Sequence, residues 1–183
     1  MKERTPSEIL GLIAKILDEL KIAYYITGGF AVSIWGKPRF TADIDLIVKM
    51  SHLAKKEFAS KVKAAFPKGY VDSDQIDTAL AEKGEFNFID SDTGMKVDFW
   101  IAQNNEFEKE CFQNIRVKDI GYKVNFISPE NLIISKLLWY QKTNSSRHLE
   151  DAKSVVENTK INKNYLRHWA IRLKLSSDLK KIF

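Results

Sequence analysis

Apolar residues first recur along this chain with a helical period. Ile9, Leu10, Ile13, Ile16, Leu17 and Leu20 fall three and four apart, which predicts an amphipathic helix over 7–20. Pro6 and Ser7 supply a start, with Ser7 the expected N-cap. Residues 23–27 then form a short apolar run that reads as a strand. Gly28-Gly29 breaks it and opens a helix through Trp35. Gly36-Lys37-Pro38 ends that helix, because Pro38 disfavours helical geometry at the residue before it. Residues 43–49 read as a strand with a charged first half. His52 to Ala65 reads as a helix whose apolar side holds Phe58 and Val62, with Phe66 just beyond.

Residues 67–85 are turn-rich and acidic and give no clear period. Strands are predicted over 85–90 and 96–101, joined by the turn-forming Ser91-Asp92-Thr93-Gly94. A second hairpin is expected over 115–118 and 122–126, turning at Asp119-Ile120-Gly121. After Ser128-Pro129-Glu130 the pattern is helical only: Ser128 can cap, Pro129 suits the first helical position, and two or three more helices fill 145–183. The expected organisation is therefore an α/β part over 1–127 and a helical part over 128–183, with no internal repeats. The class is α+β, a mixed sheet with flanking helices followed by a helical bundle.

Composition changes this picture little. Hydrophobic residues make up 44%, enough for a core, and charged residues 29%, which excludes a disordered chain. The net charge of +5 is mild, but its placement is uneven. Lys160, Lys163, Arg167, Arg172, Lys174, Lys180 and Lys181 face a single acid, Asp178, in the final segment. That segment is either a solvated helix face or a patch for a polyanion such as RNA. Cys111 is the only cysteine, so neither an intrachain disulfide nor a thiolate metal cluster can form. The first twenty residues mix charge with apolar side chains, unlike a secretory signal, and no apolar run reaches the ~20 residues of a membrane span. The expectation is a cytoplasmic protein with no membrane partner.

Two features carry chemistry. Gly28-Gly29 lies after a strand and before a helix, where unpaired N–H groups and the absence of a Cβ let phosphate approach. By itself the pair is more simply a tight turn without ligand. Neither Gly-x-x-x-x-Gly-Lys-Ser/Thr nor Gly-x-Gly-x-x-Gly occurs, which argues against P-loop and dinucleotide-binding proteins. The second feature is Asp43-Ile44-Asp45, whose two carboxylates project from one strand face while Ile44 and Leu46 point to the core. Asp98, in Lys96-Val97-Asp98-Phe99-Trp100, faces away from Val97 and Phe99. If its strand lies beside that of Asp43, three carboxylates converge, opposite the glycines, as a site for Mg²⁺ or Mn²⁺ and an NTP. Read alone, Lys136 is a snorkelling lysine or a functional one. Arg39 and Thr41 either touch phosphate or brace a loop. His52, His148 and His168 show no metal-ligand spacing.

Gly28-Gly29, Asp43-Ile44-Asp45 and Asp98 together resemble the signature of the nucleotidyltransferase superfamily that includes DNA polymerase beta, over about residues 24–101. Within it, the string from Gly28 to Leu46 is similar to the abortive-infection-type nucleotidyltransferase toxins. Those carry a Pro-Glu-Asp-Leu…Lys helix and then an Arg…Asp motif. Here these read Pro129-Glu130-Asn131-Leu132…Lys136 and Arg147-His148-Leu149-Glu150-Asp151, with Asn131 where Asp is common and His148 where Lys is common. The resemblance implies a nucleotidyltransferase-like sheet and metal-dependent, pyrophosphate-releasing transfer of an NMP from an NTP such as ATP. Asp43, Asp45 and Asp98 would be the catalytic and metal ligands. Gly28, Gly29, Ser33, Arg39, Thr41, Lys136 and Asp151 would bind the nucleotide. The implied acceptor is RNA such as a tRNA 3′ end, in a toxin with a cognate antitoxin as partner. The alternatives are adenylylation of a small antibiotic, or an inactive antitoxin-like binding module.

Overall fold

The computed structural model describes residues 4–183. Two compact units emerge. One runs to Ile26 and resumes over Ala42–Phe126; the other takes Thr27–Thr41 and Ile127–Phe183. The segment carrying Gly28-Gly29 groups with the C-terminal helices.

The first unit is built on a seven-stranded mixed sheet. Its strands are β1 (Tyr24–Thr27), β2 (Asp43–Val48), β3 (Tyr70–Val71), β4 (Glu85–Ile89), β5 (Lys96–Ile101), β6 (Arg116–Asp119) and β7 (Lys123–Phe126), in the order β3-β4-β5-β2-β1-β7-β6. β2 and β5 are parallel, as are β1 and β7, while β4 and β5 form the expected antiparallel hairpin, as do β6 and β7. The helices of this unit are α1 (Pro6–Glu19), α3 (His52–Ala65), α4 (Ser73–Glu82) and α5 (Glu106–Gln113). Phe58 of α3 packs edge-on against Phe86 and Phe99, which stand in register on β4 and β5 and stack at 4.8 Å. Such aromatic pairs fix the pairing of adjacent strands as well as filling the core.

The second unit is helical: α2 (Gly28–Trp35), α6 (Pro129–Thr143), α7 (Ser146–Asn158), α8 (Lys163–Arg172), α9 (Ser176–Leu179) and a closing 3₁₀ turn, η1 (Lys180–Ile182). α6 starts as the sequence predicts, with the Ser128 hydroxyl accepting from the Asn131 N–H and Pro129 in the first turn. It buries Leu132, Ile133, Ile134 and Leu137, and α7 and α8 cover it with Ala152, Val155, Leu166 and Ala170. The Trp35 indole N–H donates to the Ile127 carbonyl at 3.0 Å, and the Thr159 hydroxyl donates to the Trp35 carbonyl, so the end of α2 is tied at two points.

Three details depart from expectation. The N-cap of α1 is Thr5 rather than Ser7. Thr5 Oγ1 accepts from the Glu8 N–H and Glu8 accepts from the Thr5 N–H, a reciprocal box that Ser7 cannot form with Leu10. Part of the turn-rich 67–85 region is α4, capped by Asp72 and anchored by buried Ile76 and Ala79; only two core residues in ten leave little periodic signal. α5, capped by Asn105 and burying Phe107 and Cys111, was also not foreseen. Cys111 is buried, and burial pushes its thiol up to about 12, so it is an inert core residue. No helix among the described residues is long and apolar enough to cross a membrane.

Candidate functional site

The acidic cluster belongs to the sheet unit. Parallel register sets Asp45 opposite Asp98, with Ile44 opposite Val97 and Leu46 opposite Phe99. Since Ile44, Leu46, Val97 and Phe99 are fully buried, Asp43, Asp45 and Asp98 share the other face. Asn87 of β4 stands in register beyond Asp98 and extends the polar row. The sequence expectation of adjacent Asp-bearing strands is thereby met.

The carboxylates are not, however, drawn into one ligand set. Among the described residues no three His, Cys, Asp or Glu side chains are close enough to hold a metal ion. Asp98 is instead held by a residue that sequence reading passed over: Lys96 Nζ lies 2.9 Å from Asp98 Oδ2. The same i, i+2 alternation that pairs Asp43 with Asp45 puts Lys96 beside Asp98, so the signal was present. The donors themselves fit a hard divalent cation: carboxylate oxygens on one face, those of Asp45 and Asp98 in register.

The phosphate-type cluster belongs to the helical unit. Gly28 has φ +62°, a conformation that glycine adopts without strain, and β1 passes straight into α2 there. At Gly29 an added Cβ would lie 2.6 Å from Thr41 Oγ1 and 3.0 Å from Arg39 Nη2. A hydroxyl and a guanidinium therefore crowd the N-terminal turn of α2, and a side chain at Gly29 would push them aside. Arg39 in turn grips Asp151 with two parallel bonds, Nε to Oδ1 at 2.9 Å and Nη2 to Oδ2 at 3.0 Å. Lys136 Nζ meets the same carboxylate at 2.8 Å, and both Lys136 and Asp151 are buried.

These contacts sort the expected nucleotide-binding residues. Gly29, Arg39 and Thr41 meet at the turn; Arg39, Lys136 and Asp151 form one network. Lys136 does not snorkel: its ammonium ends in the protein on a carboxylate. Two cations on one buried acid leave a formal surplus of one positive charge, which suits an anionic ligand. Burial alone would raise the Asp151 carboxyl, but the bonds from Arg39 and the charge of Lys136 outweigh it and hold the group below its ordinary value. Ser33 is turned inward, its hydroxyl donating to the Arg39 carbonyl at 3.0 Å, with the Gly29 carbonyl at 3.3 Å. It thus braces the segment that presents Arg39. His148 stacks on Trp139, centroids 6.2 Å apart. Burial, then the Lys136 charge, lower its imidazole below the ordinary value, so it is neutral near pH 7.

A mixed sheet with a Gly-Gly turn after one strand, Asp-x-Asp on the next and a further Asp in register beside it defines a nucleotidyltransferase. Over residues 14–182 the sequence matches the family described as "Nucleotidyl transferase AbiEii toxin, Type IV TA system", and the chain belongs to that family. Comparison with curated proteins gives no match. Among solved structures, an antigenic nucleotidyltransferase-like protein from Paracoccidioides brasiliensis is similar at 21% identity and TM-score 0.57, covering 98% of this chain and 95% of that one. The antibiotic-resistance factor ANT(2'')-Ia is similar at 16% identity and TM-score 0.58, covering 92% of each chain. The lincosamide antibiotic adenylyltransferase LnuA, solved with lincomycin bound, is similar at 14% identity and TM-score 0.55, covering 86% of this chain and all of that one. At these identities the structural matches establish the shared fold.

Proposed function

We propose that this chain transfers an NMP from an NTP to a hydroxyl of RNA, such as a tRNA 3′ end, in a divalent-metal-dependent reaction. The observation that carries the reading is the segregation of charge: acids in register on one sheet face, and a buried surplus of cation beside a glycine turn. Asp43, Asp45 and Asp98 hold the metal, which when bound neutralises triphosphate charge and lowers the barrier to ionising the acceptor. Backbone N–H groups at Gly28 and Gly29, with Thr41, Arg39 and Lys136, hold phosphate oxygens. Asp151 and Ser33 position Arg39, and Asp151 also positions Lys136. The acceptor oxygen attacks the α-phosphorus and the bond to the β-phosphate oxygen breaks. Pyrophosphate leaves with that electron pair, and the hydroxyl proton passes to a carboxylate of the Asp45–Asp98 pair. In-line positioning and charge neutralisation supply most of the rate.

RNA is favoured as acceptor by the surface of the last segment. Its seven Lys and Arg side chains are all exposed, while Asp178, its single acid, is buried and held by Lys181 at 2.7 Å. The exposed charge there is entirely positive, and Ile171 and Phe183 stand out among it as apolar contacts for bases. The family description adds a toxin role, and with it an antitoxin as partner.

The test supplies each labelled NTP to the purified chain together with total tRNA, an antibiotic panel, or no acceptor. Label is expected in RNA, with binding that weakens steeply as salt rises. The double variant Lys163→Glu, Arg167→Glu should weaken RNA binding without changing NTP binding. Label in an antibiotic would replace RNA with a small-molecule acceptor. No label, together with no Mg²⁺-ATP binding by calorimetry, would make the chain an inactive binding module and sink the reading.

A further inference from the structure

The acid row carries its own cation. Lys96 Nζ sits 2.9 Å from Asp98 Oδ2, on a carboxylate that is 8% exposed, whereas the Lys96 side chain is 43% exposed. Lys96 is also the register partner of Asp43, so it starts on the strand of Asp98 beside the strand that bears Asp43 and Asp45. A lysine is a flexible, strongly hydrated point charge, and from a half-exposed position it can swing into water at little cost. A buried carboxylate cannot follow it and needs another cation when it leaves. The absence of a three-acid ligand set among the described residues accords with Asp98 being occupied by this ammonium.

We infer that Lys96 is a resident counter-ion of Asp98 that a divalent cation must displace, so that Lys96 sets how tightly the nucleotide-free protein holds metal. This rests on the assignment of Asp98 as a metal ligand made above. Lys96 thereby keeps Asp98 compensated when no metal is bound. It also biases the protein toward taking up its metal together with the triphosphate, whose own oxygens supply the missing ligands.

The test is Mn²⁺ titration of nucleotide-free protein, read by electron paramagnetic resonance of the unbound ion, for wild type, Lys96→Met, Lys96→Arg and Asp98→Asn. Lys96→Met keeps the apolar stem and removes the charge; its Mn²⁺ Kd should tighten by about three- to fivefold, the upper part of the range for one part-exposed ion pair. Lys96→Arg keeps the charge and should bind Mn²⁺ like wild type. Asp98→Asn should lose most of the binding. Melting curves without metal confirm that each variant is folded. An unchanged Kd in Lys96→Met, with binding lost in Asp98→Asn, would overturn the role of Lys96 and leave the metal site standing. Wild-type binding in Asp98→Asn would remove Asp98 from the metal set, and the inference with it.

Discussion

The acid row of the sheet unit and the cation network of the helical unit hold their charges by different means. On the sheet, Asp98 meets a half-exposed lysine, and register holds the strands that carry the acid row. In the helical unit, two cations meet one buried aspartate, with Lys136 on α6, Asp151 on α7 and Arg39 on the loop after α2. The strand cluster is therefore adjustable at the side-chain level, since Lys96 can leave without moving backbone. The helix cluster is not, because Asp151 is the shared partner of both cations and its loss leaves them facing each other without an anion. The lesson is that one cluster is built to exchange its cation and the other to keep its own.

The strongest way to break this contrast is chemical. Asp45→Asn should lower labelled-NMP transfer on the order of a thousandfold or more while leaving the melting curve near wild type. Full activity in the folded variant would remove the metal assignment. Next is Asp151→Ala, which leaves Arg39 and Lys136 facing each other without an anion. Unfolding in urea should show a loss of about 3 kcal/mol, near the low end for opening a buried ion pair. A loss within 0.5 kcal/mol, roughly the scale of a surface change, would show that the network is solvated. A smaller effect is expected from Gly29→Ala. Its methyl pushes on Thr41 and Arg39, so KM for the NTP should rise about tenfold, with kcat changed less. An unchanged KM would mean that the turn does not touch the nucleotide.

The mildest expected effect is on pH. The folded Asp151 value lies below its ordinary 3.8, so its stabilisation is complete above 3.8 and lost as pH falls through the folded value. The folded His148 value lies below its ordinary 6.5, so its share is complete above 6.5 and fades as pH falls toward the folded value. Both act in one direction, and Tm should drop by a few degrees on acidification from neutral. His148→Gln should remove the part of the drop nearest pH 6.5. A slope unchanged in that variant would place the titrating group elsewhere.

Much of the fold was legible because its signals are local. Alternation in Asp43-Ile44-Asp45-Leu46 fixes which side faces the core, and Ser128-Pro129 marks a helix start that the structure reproduces. α4 escaped because a helix lying on the surface with two buried side chains has almost no apolar period. In the site, the adjacency of β2 and β5 was predictable from the need to pair a buried strand. The bidentate grip of Arg39 on Asp151 was not, since residues 112 apart, one on a loop and one on α7, meet only through tertiary structure that no local pattern records. Lys96 lies in between: alternation puts it on the face of Asp98, but a strand lysine has no local pattern that marks it as an ion-pair partner.

The cross-links of the segment 27–41 have one more consequence. Trp35 bonds to Ile127 and Thr159, and Arg39 bonds to Asp151. The C-terminal helices are consequently not an appendage that can be exchanged among relatives by a single crossover near residue 128. A chimera made there would inherit a glycine loop from one parent and its braces from the other. Recombination that preserves the enzyme has to transplant two separate stretches of chain together, which makes this loop and these helices a single heritable block despite the sheet strands encoded between them.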